Sequence, residues 1–140
     1  MKHLLFSTLF ITLFSCSSNS NDPQANNTKI TPPQWIIGIW NSNQTNNPQN
    51  AARFCEFKTD DYCIFSSLLQ ICNAQNIQSA LNVGALTKVD QTITDSEYKL
   101  VITISSTILT YHFKRITNNK IEYLNTNVAG SGLPNIFLTR

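Results

Sequence analysis

The stretch Tyr98-Lys99-Leu100-Val101-Ile102-Thr103-Ile104-Ser105 constrains the fold more than any other part of the chain. Tyr98, Leu100, Ile102 and Ile104 fall on one face, and Lys99, Val101, Thr103 and Ser105 on the other. That period of two belongs to a strand, whose successive side chains point to opposite sides. A Ser105-Ser106 turn leads into Ile108-Leu109-Thr110-Tyr111-His112-Phe113-Lys114, where Leu109, Tyr111 and Phe113 share a face. Asn118-Asn119 is a hairpin signal, because Asn tolerates positive φ better than most residues. A strand over 120–126, a Gly130-Ser131-Gly132 turn and a last strand over 133–139 complete the chain.

The first half carries the same signature. Two prolines precede the apolar run Trp35-Ile36-Ile37-Gly38-Ile39-Trp40, which an Asn-rich loop at 41–48 ends. Residues 53–58 alternate, Asp60-Asp61 forms a turn, and Tyr62-Cys63-Ile64-Phe65 completes a hairpin. Residues 66–84 break the pattern. Leu68, Ile71, Ile77, Ala80 and Leu81 approximate helical spacing, and Gly84 suits a helix C-terminus, so a loop with one short helix is expected. A weak strand over 87–94 follows. Even spacing with turn chemistry between strands predicts an all-β antiparallel meander of about eight strands, as an up-and-down barrel or a β-sandwich. No βαβ alternation is present, which disfavours a parallel sheet.

The chain opens with Lys2 and an uncharged apolar run, 4–14, far shorter than the ~20 residues a membrane-spanning helix needs. This reads as a secretory signal. Its end, Leu13-Phe14-Ser15-Cys16, resembles the lipobox of bacterial lipoproteins, with Phe14 bulkier than usual. The resemblance implies cleavage before Cys16, lipidation of Cys16, and a chain held on a membrane by its acyl groups. It also implies a cell-envelope location, expected to be the outer membrane of a Gram-negative bacterium. Residues 16–31 are polar and read as a flexible tether. The folded domain is thus expected over 32–140, after a signal over 1–15.

Removing Lys2 with the signal leaves nine of the ten basic residues against eight acidic ones. That balance lacks the clustered Lys and Arg of a nucleic-acid footprint. Three of the four cysteines remain: Cys55, Cys63 and Cys72. Three thiols allow three single bridges and leave one over. Cys63–Cys72 is favoured, because it would pin the non-strand segment to the sheet. Cys55–Cys63 across the hairpin would need Phe57 opposite Asp61. Neither Cys-x-x-Cys nor His-x-x-x-His spacing is present, so no metal site and no cofactor is expected.

Gly38-Ile39-Trp40, opening the first strand after a proline-bearing lead-in, resembles the Gly-x-Trp motif of lipocalins and related calycins. The resemblance implies an up-and-down barrel whose last strand returns to its first. Trp40 would plug the closed end, and a basic residue at the chain terminus, here Arg140, would pack over its indole. The whole chain is similar to small lipocalin-like lipoproteins of Bacteroidetes.

Chemistry is sparse. His112 is the single histidine after signal removal and shares a face with Thr110 and Lys114. No signature sets a nucleophile and an acid around it. Asp60-Asp61 reads as a turn, and Gly130-Ser131-Gly132 lacks the helix of a phosphate loop. No catalytic residue is assigned. The family analogy implies a module binding a small hydrophobic or amphipathic ligand, lined by Leu100, Ile102, Leu109, Tyr111 and Phe113. The alternative is a barrel filled by its own side chains that docks another envelope protein.

Overall fold

The computed structural model describes residues 27–42, 52–66, 69–124 and 135–140. Cys16 and the signal sequence lie outside them, as do the connections 43–51 and 125–134. A 3-10 turn, Gln34–Ile36, leads into nine strands and one helix. The order is β1 (Gly38–Ser42), β2 (Ala52–Phe57), β3 (Tyr62–Ser66), β4 (Leu69–Cys72), α1 (Asn73–Asn82), β5 (Thr87–Ile93), β6 (Glu97–Ile104), β7 (Thr107–Thr117), β8 (Lys120–Leu124) and β9 (Ile136–Thr139). The protein is all-β.

All nine strands form one antiparallel sheet in the order β4-β3-β2-β1-β9-β8-β7-β6-β5. Apart from β4 and β5, strands consecutive in sequence are neighbours in the sheet, and β9 returns to pair with β1. This is the up-and-down barrel topology, curled into a half-barrel. One continuous sheet also rules out the sandwich alternative, which needs two sheets packed face to face. The edges β4 and β5 do not pair with each other. Helix α1 packs against both β3 and β5 and so spans the gap.

The helix and β4 both come from the segment 66–84. Leu69-Gln70-Ile71-Cys72 pairs with β3, Ile64 opposite Ile71 and Cys63 opposite Cys72. Ile71, whose spacing suggests a helical stripe, is thus a strand residue. The helix begins only at Asn73, and its end is well marked. The Gly84 amide donates to the Leu81 carbonyl at 2.9 Å and the Ala85 amide to the Ala80 carbonyl at 3.0 Å, with Gly84 at φ +75°. Those paired bonds satisfy the last carbonyls of the helix, and the left-handed position favours glycine. By contrast, Asn118 and Asn119 turn without positive φ; Ser105, at φ 54°, takes that role in the β6–β7 turn.

The domain starts earlier than residue 32. The Val89 amide donates to the Asn27 carbonyl at 2.7 Å, and Ile30 is only 3% exposed. The Gln91 side chain ties down the rest: its Oε1 accepts from the Thr31 amide at 2.8 Å, and its Nε2 donates to the Lys29 carbonyl at 3.1 Å. Residues 27–31 therefore cover the free edge of β5, which blunts a row of unpaired backbone groups. The inner end of the expected tether is part of the folded body.

Candidate binding site

The register defines two ends. Gly38, Phe57, Tyr62, Ile93, Glu97, Thr117, Lys120 and Thr139 gather at one; Ser42, Ala52, Ser66, Leu69, Ile104, Thr107, Leu124 and Ile136 gather at the other.

The first end is closed by the residues singled out in the sequence. Trp40 is fully buried, and its Nε1 donates to the Ile36 carbonyl at 2.7 Å. The Arg140 guanidinium lies 4.8 Å from the Trp40 ring centroid. It is held there by three donated bonds: Nη1 to the Ile37 carbonyl at 2.9 Å, Nε to the Asn118 carbonyl at 3.0 Å and Nη2 to the same oxygen at 2.7 Å. A planar fork can make all three at once, where an ammonium could not. Gly38 has φ +126°, a conformation side chains rarely adopt, while a Cβ there would stand 3.8 Å from Arg140 Nη1 in ordinary contact. Glycine is required by the backbone, not by space.

The middle of the barrel is filled with rings. Phe57 stacks on Tyr62 at 4.7 Å and meets Phe113 edge-on at 4.9 Å; Phe113 stacks on Tyr123 at 5.0 Å. Of the five residues expected to line a ligand, Leu100, Ile102 and Phe113 belong to this packed layer and are fully buried. Tyr111 stands opposite Leu100 and is buried as well; Leu109, opposite Ile102 and two residues nearer the open end, is half-buried.

The open end differs. Ile64, Ile104, Leu109 and Ile136 face inward by register, opposite the buried Cys55, Thr87, Ile102 and Tyr123, yet each remains partly exposed. Leu69 and Ile71 of β4 share the face of Ile64, and they are 70% and 48% exposed. Beneath this apolar ring lie polar atoms. Tyr62 and Tyr111 meet at 4.8 Å between centroids, with Tyr123 and the Cys55 thiol close by. Burial pushes the Cys55 thiol and the Tyr62 phenol far up. For Tyr62 the neighbouring Cys55, Tyr123 and Tyr111 push the same way. Tyr111 is raised too, by burial first and Tyr123 second. These groups are therefore neutral donors at physiological pH. The Ser42 hydroxyl, at the open end of β1, is buried with no hydrogen-bond partner among the described residues. Sequence spacing could not reveal this convergence, because the tyrosines come from three strands.

Elsewhere, Cys63 and Cys72 form the disulfide, directly opposite each other on β3 and β4. Phe57 lies opposite Tyr62, not Asp61, so Cys55 faces inward and Cys63 outward, and Cys55 is a free buried thiol. His112 points away from the ring layer and sits 3.5 Å from Glu97, a partly exposed pair of small energetic weight. A cavity of about 470 Å³ lies between residues 28–31, Asp60 and the Ala74, Ile77 and Leu81 side of α1. No described helix is long and apolar enough to cross a membrane.

Comparison of the chain with protein-family models, with curated proteins and with solved structures gives no match in any of the three. What the architecture itself carries is a curled antiparallel half-barrel, compatible with a calycin-like fold.

Proposed function

We propose that this protein is a lipocalin-like binding module that takes one small hydrophobic or amphipathic molecule at the open end of its barrel. The observation that carries this reading is the ring of inward-facing apolar side chains that stay partly exposed, Ile64, Leu69, Ile71, Ile104, Leu109 and Ile136. Inward apolar groups left uncovered offer area that a ligand would remove from water, at about 25 cal/mol per Å². Neutral phenols and a partnerless hydroxyl below the ring would orient a polar group on that ligand. The filled middle limits the occupant to the upper barrel, so only part of a long acyl chain would enter.

The anchor belongs to the same proposal. Leu13-Phe14-Ser15-Cys16 supports lipidation of Cys16 and residence on an envelope membrane, and substituting Cys16→Ser should abolish incorporation of labelled palmitate. A second reading has its own support. Val83, Leu86 and Ile108, all strongly exposed, surround the open end, which suits docking of a filled barrel onto another envelope protein.

Native mass spectrometry of protein purified from its own membrane, set against the denatured mass, separates the two. A bound molecule of a few hundred daltons supports the binding module. A bare-chain mass, with no uptake from an offered lipid extract, supports protein docking.

A further inference from the structure

Asp61 presents an unexplained charge. It is 6% exposed, at the start of β3. Its Oδ1 accepts from the Tyr62 amide at 2.7 Å and from the Ala74 amide, in the first turn of α1, at 2.9 Å. That accounts for half of the carboxylate, as a cap for the helix. The contact of Oδ2 is Cys63 Sγ, at 3.7 Å. A disulfide sulfur carries no proton, so it cannot donate to that oxygen. The ion pairs among the described residues are Lys88–Asp90 and His112–Glu97, and neither reaches Asp61. A buried carboxylate oxygen without donor or counter-ion is unfavourable. It asks for a proton donor or a cation.

We propose that Asp61, Cys63 and Cys72 become a site for a thiophilic divalent ion, with zinc as the fitting case, when the Cys63–Cys72 disulfide is reduced. One ligand atom from each residue already lies within 4.8 Å of the other two. A dithiol or phosphine reductant supplies two electrons, the S–S bond breaks, two protons are taken up and two thiols form while the reductant is oxidised. The ion then displaces both thiol protons to water and bonds to the two sulfurs and to Asp61 Oδ2. Two thiolates and one carboxylate more than offset the 2+ charge, leaving the site with a net single negative charge. A fourth position is left for water on the half-buried side of Cys72, giving the tetrahedral arrangement such ions adopt.

Three features favour this over an incidental cluster. The two amides on Oδ1 fix the carboxylate with Oδ2 turned towards the sulfurs, as outer-shell donors do for metal ligands. The cysteines are directly opposite in the register, so both sulfurs stay on one face of the sheet when the bond opens. Thiolate ligands select zinc-like ions over magnesium or calcium. The ligands are brought together by strand pairing and not by a short sequence spacing, which is why no metal motif is legible in the chain.

Cobalt(II) is the probe, in the full chain carrying Cys16→Ser and Cys55→Ala so that only two thiols remain. With a phosphine reductant, one equivalent should bind and give a sulfur-to-cobalt charge-transfer band with intense tetrahedral d–d bands. The oxidised chain should give neither. Asp61→Asn keeps the oxygen that caps the helix and should weaken cobalt binding by at least ~10-fold, the lower bound for losing even an outer-shell partner, with near-UV circular dichroism unchanged. Alkylating the reduced chain with iodoacetamide should abolish the band. The proposal is overturned if the reduced chain shows no charge-transfer band or if Asp61→Asn binds as tightly as its parent. It is equally overturned if the near-UV signal is lost on reduction and does not return with cobalt.

Discussion

The two ends of this barrel are built from the same strands and differ in what their inward side chains meet. At the closed end Trp40 is sealed by Ile36 on one side and the Arg140 guanidinium on the other, and every polar atom named there has a partner. At the open end the register still turns Ile64, Leu109 and Ile136 inward, but nothing described covers them fully. The alternation of one sheet therefore produces a sealed core at one end and an unfinished apolar surface at the other. Stability should concentrate at the first and binding at the second.

The largest expected effect is at the closed end. Trp40→Ala removes a fully buried indole together with its bond to Ile36 and should cost about 3–5 kcal/mol in urea unfolding, much of a small domain's stability. A loss below about 1 kcal/mol would mean that this end is not sealed as described.

A matched pair of leucines on the neighbouring strands β6 and β7 sharpens the contrast. Leu100→Ala should cost about 2–5 kcal/mol, as for a packed core position. Leu109→Ala, nearer the open end, should cost under about 1.5 kcal/mol, because its side chain is already partly in water. Equal losses would erase the distinction between filled middle and open mouth.

Arg140→Ala should cost about 1–2 kcal/mol, through the lost cation–ring contact and donated bonds. Arg140→Lys should recover less than half, since an ammonium cannot reproduce the fork. Thermal or urea midpoints of both variants test this.

The smallest effect near neutrality is the pH dependence of the buried layer. Burial raises Cys55 and Tyr62 in the folded state, so the folded protein holds these protons more tightly than the unfolded chain. Their contribution is complete below the unfolded thiol value of about 8.5 and declines as pH rises, at no more than ~1.4 kcal/mol per pH unit for each group. Cys55→Ala should delay the onset of this decline to near the unfolded phenol value of about 10. Urea midpoints from pH 7 to 11 measure it.

The fold was largely legible because its signals are local. Alternation in 98–105 and 108–114, the turn at Asp60-Asp61 and the Gly38-Ile39-Trp40 segment each act within a few residues. What was hidden depends on distant partners. Helix α1 has no side-chain cap of its own at Cys72; its first turn is capped by Asp61, which sequence reading takes for a plain turn residue. Strand β4 exists because Ile71 and Cys72 find Ile64 and Cys63 across a register that no spacing rule announces. Ile30 looks like an isolated apolar residue in a polar tether until the free edge of β5 gives it somewhere to pack. The site was legible in part for the same reason. Alternation identified Leu109 as inward, but it could not separate this half-buried position from the buried Leu100, Ile102, Tyr111 and Phe113, because depth along the barrel axis is set by the stagger of all nine strands.

The most direct test of this division is a backbone amide NMR titration of the protein with an apolar fluorescent sulfonate such as anilinonaphthalene sulfonate. Saturable shifts should cluster at Ile64, Ile71, Ile104, Leu109 and Ile136, with the amides of Gly38, Trp40 and Arg140 unmoved. Shifts centred on Trp40 and Arg140, or no saturable shifts at all, would contradict this division.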